Sequence, residues 1–201
     1  MLTRANLIDI FSREPNGDDY GGAAWQGWTP PKDSFPKKIT GKFWPEYSSI
    51  FSALERISPE NVNYVILGKD PYPQDNLGRP YATGIAFEVN NEIAVIPSAL
   101  KRLIRNIYTQ KSKRAEIDVW IRNGNSLAVN TALNDWMSLH GVLMLNSALT
   151  VPQVKNGDAI RSAELDHISI WSSFTTSIVA QIILEYPRVK LIAWGGAKRE
   201  Q

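Results

Sequence analysis

An acidic and an aromatic residue directly follow an apolar segment, and residues of these two types could do chemistry together. Residues 64–67 are too few for a helix and are typical of a strand buried on both faces. Gly68 permits a tight exit, and two prolines stiffen the loop because their φ angles are fixed. Asp70 and Tyr72 would then lie at the C-terminal end of a strand, where open α/β sheets bind ligands. An ordinary Asp-Pro turn is the alternative interpretation.

Two more predicted strands end in residues that suit a binding site. Residues 142–145 form a buried apolar run that ends at Asn146, and residues 189–194 form another that ends at Gly195 and Gly196. The C-terminal ends of parallel strands lie along one edge of a sheet. A carboxylate, an amide, an aromatic ring and a glycine-rich turn would meet there. This set suits a polar ring that is attached to a phosphate backbone.

A basic helix is the third candidate. Pro97 and Ser98 are predicted to open it, with Ser98 as the N-cap and an apolar stripe at helical spacing after it. Lys101 belongs to a cluster of cations between residues 101 and 114. A helix N-terminus with a hydroxyl and nearby cations suits a phosphate. The alternative is a basic face that only meets water, which is what clustered charges usually do.

The elements that must position these residues alternate between strands and helices. This order predicts the α/β class, with an open, mostly parallel central sheet and helices on both of its faces. Nothing in the composition marks a linker, so residues 1–201 are predicted to form a single domain. Residues 84–89 are predicted to be a further strand. Besides the helix that opens at Ser98, helices are predicted over residues 2–12, 44–57, 130–140 and 163–186.

The composition excludes several classes of protein. Of the 201 residues, 43% are apolar and 21% are charged, as in ordinary globular domains. Because there is no cysteine, disulfides, thiolate metal sites and a cysteine nucleophile are excluded, and a reducing compartment such as the cytoplasm is compatible. Two histidines are too few for a multi-histidine metal site. No apolar run is expected to be long enough to cross a membrane.

Short motifs in matching order make the chain similar to the uracil-DNA glycosylases. The family's first motif reads GQDPYH, and residues 68–73 read GKDPYP. The family's G-V-L-L-L-N-x-x-L-T-V is matched closely by residues 141–151, and this block is the most specific. Further matches are G-L-A-F-S-V at residues 84–89, P-P-S-L at 96–100, W-x-x-F-T at 171–175 and L-L-W-G at 191–195. The resemblance covers roughly residues 44–196 and implies the same α/β fold.

The resemblance implies a DNA repair enzyme, a hydrolase that cuts the N-glycosidic bond of uracil in DNA and leaves an abasic site. Asp70 would position the attacking water and balance the charge that develops on the sugar. Asn146 would read the uracil edge, Phe87 would stack on the extruded base, and Tyr72 would fill the space that a thymine methyl needs. Lys69 would add a cation beside the substrate. A turn cap for Asp70, backbone pairing for Asn146 and a core position for Phe87 are the alternatives.

The implied partner is DNA that contains uracil. Its phosphates would be held by Pro97, Ser98, Lys101, Gly195 and Gly196. The resemblance implies no metal, no cofactor and no membrane, and a monomer in the cytoplasm, or at a nuclear or viral replication site. A protein inhibitor or a replication partner is left open.

Two departures from the family leave the activity open. Pro73 replaces the histidine of the first motif, and the family's C-terminal histidine motif has no counterpart before Gln201. The C-terminal end of the family's fold is therefore expected to be missing. A catalytically impaired DNA-binding or scaffolding module on the same fold is the first alternative, and an unrelated α/β protein for a small ligand is the second. His167 is predicted to lie on a helix surface without a role in DNA binding.

Overall fold

A computed structural model describes residues 2–11, 30–153 and 163–194 of the chain. The helices are α1 Arg4–Phe11, α2 Ser52–Glu55, α3 Ser98–Ile107, α4 Lys111–Arg122, α5 Ser126–His140 and α6 Ala163–Glu185. The strands are β1 Leu2–Thr3, β2 Lys38–Ile39, β3 Phe43–Trp44, β4 Tyr64–Gly68, β5 Asp75–Asn76, β6 Arg79–Pro80, β7 Val142–Asn146, β8 Val151–Pro152 and β9 Lys190–Ala193.

The central sheet is parallel and has the strand order β7-β4-β9. Tyr64 pairs with Val142 and with Lys190, and Gly68 at the end of β4 pairs with Asn146 at the end of β7. Every residue of β7 is buried, as its continuous apolar sequence predicts. Because the strands are parallel and in register, their C-terminal ends lie side by side. Parallel strands alternating with helices confirm the predicted α/β class.

Helix α6 contributes an aromatic cluster to the core. Trp171 and Phe174 are fully buried, and Phe174 packs against Phe35 with a ring separation of 4.7 Å. The segment His167–Glu185 has the length and apolar composition of a membrane span, so the expectation that no such run exists is wrong. Its buried face nevertheless packs on the core of this fold, and we therefore interpret α6 as a core helix.

Several predicted helices are confirmed. Helices α1, α3, α5 and α6 lie where periodicity predicts them, although α5 begins earlier, at Ser126. Gly141 ends α5 with a φ of +63°, a left-handed conformation that glycine adopts at little cost. The predicted cap of α3 is wrong by one position, because Pro97 occupies the N-cap and Ser98 is the first helical residue.

Three other predictions are wrong. Residues 44–57 form no single helix: a 3₁₀ turn at Tyr47–Ser49 and the short α2 take its place, because Pro45 cannot donate a helical hydrogen bond. Residues 84–89 form a turn rather than a strand, with positive φ angles at Gly84 and Phe87 that an extended strand cannot accommodate. His167 does not lie on the helix surface but is buried. Burial of its polar ring is tolerated because Nδ1 lies within hydrogen-bond distance of the Thr150 hydroxyl, at 2.8 Å.

Candidate functional site

A cavity of about 330 Å³ lies at the C-terminal edge of the central sheet. It brings together Asp70, Tyr72 and Lys69 from the loop after β4, Asn146 from the end of β7, and Phe87 from the turn at residues 84–88. The sequence pattern predicted that Asp70, Tyr72 and Asn146 would meet at one edge, and the family resemblance added Lys69 and Phe87. The structure places all five on the cavity wall. The volume lies at the lower end of the range of about 300–1,000 Å³ that is typical of small-ligand sites.

Backbone hydrogen bonds hold the loops of the cavity together. The Gly68 carbonyl accepts hydrogen bonds from both the backbone N–H of Ser147, at 2.9 Å, and its hydroxyl, at 3.1 Å. The Ala148 N–H donates to the Lys69 carbonyl at 3.0 Å, and the Trp194 N–H donates to the Leu67 carbonyl at 2.9 Å. The three strand ends are therefore fixed relative to one another, which is what a pre-formed site requires.

Asn146 presents an amide with free hydrogen-bonding capacity to the cavity. The residue is only 5% exposed. Within the described ranges its carboxamide makes no hydrogen bond to the protein, although buried polar groups normally have a partner. Its Oδ1 atom lies over Gly68, so closely that a Cβ at that position would be 2.5 Å away. Glycine at residue 68 thus makes room for the amide.

Asp70 is a partly desolvated acid beside a cation. Its side chain is 23% exposed, and Oδ2 lies 3.6 Å from Nζ of Lys69. Burial raises the pKa of the Asp70 carboxyl, and the Lys69 ammonium acts in the opposite direction and lowers it. Burial and the lysine therefore act in opposite directions on the same carboxyl, and burial is the larger effect.

Phe87 is held at the cavity by an unusual backbone conformation. Its φ of +68° is costly for a residue with a side chain, and such strain is typical of functional sites. The Tyr72 hydroxyl donates a hydrogen bond to the Phe87 carbonyl at 3.1 Å, and the Ala86 N–H donates to the Met144 carbonyl at 3.2 Å. The ring meets Trp194 edge to face at 6.3 Å. Burial raises the pKa of Tyr72, so its hydroxyl remains a donor at ordinary pH.

Glu88 is a residue of the cavity wall that the sequence did not single out. Its carboxylate is 8% exposed and accepts hydrogen bonds from the Thr83 hydroxyl at 2.7 Å and from the Asn134 amide at 3.0 Å. Arg56 lies 3.8 Å from its Oε1 atom. An acid at a position where the uracil-DNA glycosylases have serine was the available signal, but its partners come from distant parts of the chain.

The predicted phosphate contacts lie only partly at the cavity. Pro97 is the N-cap of α3, and Ser98 and Lys101 lie near the start of the helix. None of the three lines the cavity, whereas Ala99 and Arg102 do. Arg102 could have been found from the sequence, because it follows Ser98 by four residues and shares its helix face. Gln74 and Trp194 were also missed. Gly195 and Gly196 lie outside the described residues.

The site offers no cluster of metal ligands. In the part of the chain that the structure describes, no group of three His, Cys, Asp or Glu side chains could hold a metal ion. The cavity wall presents the carboxylates of Asp70 and Glu88, the carboxamide of Asn146, three aromatic rings and nearby cations.

Comparison with curated proteins finds uracil-DNA glycosylases. The protein of Azobacteroides pseudotrichonymphae is 32% identical over 164 residues, which cover 82% of this chain and 62% of that relative. The protein of Chlamydia trachomatis serovar L2b is 33% identical over 160 residues, 80% of this chain and 58% of the relative. The chain thus spans about three fifths of the length of these relatives. None of the known family models matches.

Solved structures of uracil-DNA glycosylases share the fold. The mimivirus protein matches with a TM-score of 0.53 and 22% identity, over 78% of this chain and 57% of that one. The protein of Nitratifractor salsuginis matches with a TM-score of 0.50 and 20% identity, over 79% and 65%. A mimivirus variant in complex with UGI also matches, with a TM-score of 0.52 and 21% identity over 78% and 58%. At this identity the structural matches speak for the fold alone.

Proposed function

We propose that the chain is a member of the uracil-DNA glycosylase family, as its similarity to curated relatives supports, and that it hydrolyses the N-glycosidic bond of uracil in DNA. One observation carries the proposal: the carboxamide of Asn146, which makes no hydrogen bond within the described ranges, and the carboxylate of Asp70 line the same cavity. In the reaction, the bond between C1′ and N1 breaks and its electron pair leaves with the uracil ring. The oxygen of a water molecule then bonds to C1′, and the product is an abasic site.

Asp70 acts on the sugar side of that bond. The Asp70 carboxylate orients the water, accepts its proton and stabilises the positive charge that develops on the sugar ring. Partial burial strengthens these interactions because little water screens them. Lys69 lowers the pKa of the Asp70 carboxyl against the effect of burial, and this is the role that we assign to the lysine.

Asn146 selects the base. A fixed carboxamide donates to one uracil carbonyl and accepts from the ring N–H, whereas cytosine presents a lone pair and an amino group at the same positions. The amide can discriminate because Gly68 and the surrounding wall leave it few alternative orientations. A site that is built to satisfy one hydrogen-bond pattern rejects the reversed pattern, since its own buried groups would remain unpaired.

Phe87 and Tyr72 shape the pocket for an extruded pyrimidine. The Phe87 ring offers a face on which the flipped base stacks. Tyr72 stands where a 5-methyl group would come, and its hydrogen bond to the Phe87 carbonyl keeps it there. The base must leave the duplex to reach these groups, since the glycosidic bond is shielded within the stack.

DNA binding is proposed for the face that carries α3. Arg102 is exposed at the cavity, and Ser98 and Lys101 lie on the same first turns of the helix. These groups suit the phosphates that flank the target nucleotide. We expect the protein to act on DNA as a monomer.

The test uses a single-stranded oligonucleotide with one uracil, incubated with the purified protein and then treated with alkali. Strand breaks at the uracil position, with free uracil detected by chromatography, are the expected result. Matched oligonucleotides with cytosine or thymine at that position are expected to stay intact. Salt-dependent DNA binding without any release of uracil would overturn the proposal in favour of a non-catalytic DNA-binding module.

A further inference from the structure

Glu88 is a buried acid on the wall of the cavity, and the proposed reaction has so far given it no role. Its carboxylate is 8% exposed, and the residue directly follows Phe87 in the chain. Burying a carboxylate costs free energy unless hydrogen bonds or a counter-charge compensate for the lost water. The uracil-DNA glycosylases have serine here, whose side chain is two carbon atoms shorter. The acid therefore needs an explanation that is specific to this chain.

Donors from three parts of the chain meet at the Glu88 carboxylate. The Thr83 hydroxyl donates to Oε2 at 2.7 Å, and the Asn134 amide of α5 donates to Oε1 at 3.0 Å. Arg56 is a weaker third contact, because its guanidinium lies 3.8 Å from Oε1 and is partly exposed. Hydrogen bonds that a carboxylate accepts are roughly twice as strong as those between neutral groups. The side chain of Glu88 is therefore fixed mainly by Thr83 and Asn134.

The hydroxyl of Thr83 links the two arms of the turn that contains Phe87. It accepts a hydrogen bond from the Ile85 N–H at 3.4 Å on one arm and donates to Glu88 on the other. Phe87 lies between these two arms with its φ of +68°. A strained backbone conformation persists only where the surrounding structure holds it. The carboxylate of Glu88 thus closes the turn around its strained residue.

Helix α5 holds the C-terminal arm of the turn from outside. Asn130 and Asn134 are four residues apart and therefore lie on the same face of the helix. Asn130 binds the backbone of Val89: its Oδ1 atom accepts from the N–H at 3.4 Å, and its amide donates to the carbonyl. Asn134 binds the carboxylate of Glu88. Two successive residues after Phe87 are thus anchored to one helix, the first through its side chain and the second through its backbone.

We propose that Glu88 is a positioning residue for uracil excision: its hydrogen-bonded carboxylate keeps Phe87 in the left-handed conformation that presents the aromatic ring to the cavity. The inference rests on the proposed function, since it takes the Phe87 ring to stack on an extruded base. A stacking face that is already in place needs no reordering when the base binds. Tyr72 and Trp194 contact the carbonyl and the ring of Phe87, whereas Glu88 fixes the backbone that follows it.

Excision from a single-stranded uracil oligonucleotide, normalised to the folded fraction, tests this role. Glu88→Ala is expected to lower kcat/KM by about 10-fold to 100-fold, because a small displacement of a substrate-contacting group has effects of that order. Glu88→Gln is expected to stay within about threefold of the parent, since its amide can donate to Thr83 and its carbonyl can accept from Asn134. The control Glu92→Ala, which removes an exposed acid nearby, is expected to match the parent. A parent-like rate in Glu88→Ala, or a glutamine variant as slow as the alanine variant, would overturn the proposal.

A Phe87→Ala background separates positioning from general support of the fold. If Glu88 acts through the Phe87 ring, Glu88→Ala is expected to cost less than about twofold once that ring is absent. Thr83→Val removes one donor and keeps the shape of the side chain, so it serves if Glu88→Ala does not fold. Its expected loss is about 3-fold to 10-fold in the parent background and again less than about twofold without the ring. Losses of equal size in both backgrounds would overturn the proposal.

A second readout needs neither DNA nor turnover. The Phe87 ring meets Trp194 edge to face at 6.3 Å, so the indole ring current shifts the NMR signals of Phe87. With isotope-labelled phenylalanine, Glu88→Ala is expected to move these signals toward those of an unpacked ring, and Glu88→Gln is expected to leave them in place. Unchanged Phe87 signals in Glu88→Ala would overturn the positioning role. A parent protein that releases no uracil would instead refute the proposed function, so the two failures are distinguishable.

Discussion

The central strands have a cavity at each end, and the two cavities differ in what their polar groups do. The C-terminal cavity of about 330 Å³ contains Asp70 and Asn146. The N-terminal cavity of about 440 Å³ is of similar size and includes Asn61, Asn63 and Gly141. Size alone therefore does not distinguish the candidate site.

The polar groups of the N-terminal cavity form hydrogen bonds within the protein. The Asn63 amide donates to the His140 carbonyl at 3.2 Å, and the Asn61 amide donates to the Ser58 hydroxyl at 2.7 Å. The Gly141 carbonyl accepts hydrogen bonds from two backbone N–H groups at the start of β4. At the C-terminal cavity, by contrast, the buried Asn146 carboxamide makes no hydrogen bond within the described ranges, and the backbone of Phe87 is strained. Unused hydrogen-bonding capacity, rather than concavity, distinguishes the candidate site.

The largest predicted contrast comes from removing one polar group at each end. Asp70→Asn is expected to lower the single-turnover excision rate by about 10²-fold to 10⁴-fold, because the water loses its base. Asn61→Ala, at the other cavity, is expected to leave that rate within about twofold. Excision from a single-stranded uracil oligonucleotide measures both. A comparable loss of excision rate in the two variants would mean that the C-terminal cavity is not the active end of the sheet.

The same acid gives a stability signature with a definite sign. Burial raises the pKa of Asp70 in the folded protein, so the ionised carboxylate destabilises the fold at pH values above that pKa. Asp70→Asn is therefore expected to melt at a higher temperature than the parent at neutral pH. The difference should shrink as the pH falls and the acid becomes protonated in both the folded and the unfolded state. Thermal melts over a pH series measure it.

Two glycines sharpen the comparison further. Gly68→Ala would place a Cβ 2.5 Å from the Asn146 Oδ1 atom, and the displaced amide is expected to cost about 10-fold to 100-fold in excision rate. Gly141→Ala would meet the Asn61 carbonyl at 2.4 Å in a left-handed conformation, and it is expected to cost about 1–3 kcal/mol of stability instead. Rates normalised to the folded fraction, together with urea unfolding, separate the two effects. A normal rate for Gly68→Ala would contradict the close packing of the amide.

Lys69 offers a smaller, pH-dependent effect. Excision requires the Asp70 carboxylate, so activity is lost as the pH falls through its pKa. Lys69→Gln removes the cation that lowers this pKa, and the acidic limb of the pH–rate profile is therefore expected to move to higher pH. Lys113→Gln changes the net charge equally but far along the chain, and is expected to leave the limb in place. A shift of equal size in both variants would assign the effect to net charge.

The sequence predicted the positions of Asp70 and Asn146, because at these strand ends the local pattern and the tertiary position agree. Apolar runs that end in Asp70 or Asn146 are short, buried strands, and parallel pairing brings their ends together without further information. The periodic helices followed from the same kind of local signal. These features depend on residues that are close in the chain, and the sequence pattern shows such residues directly.

The features that were missed depend on distant partners. Phe87 adopts a positive φ in a turn that the Met144 carbonyl and the Tyr72 hydroxyl support, so residues 84–89 only resemble a strand. Glu88 can be buried because Asn134, 46 residues away, donates to it. An acid in an apolar run gives no local sign of such a partner, and only the folded arrangement supplies one.

The smallest predicted effect tests whether the two cavities are independent. Arg56 lines the N-terminal cavity and also lies 3.8 Å from Glu88, which lines the C-terminal one. The arginine side chain is 37% exposed, so the pair is expected to contribute only about 0–1 kcal/mol. Glu88 keeps its hydrogen bonds from Thr83 and Asn134 without it, and Arg56→Met is therefore expected to change excision by less than about threefold. A double-mutant cycle with Glu88→Gln measures the coupling. If Arg56→Met loses as much excision rate as Gly68→Ala, the two cavities are not independent. The Arg56–Glu88 pair would then be the contact through which the N-terminal cavity affects the candidate site.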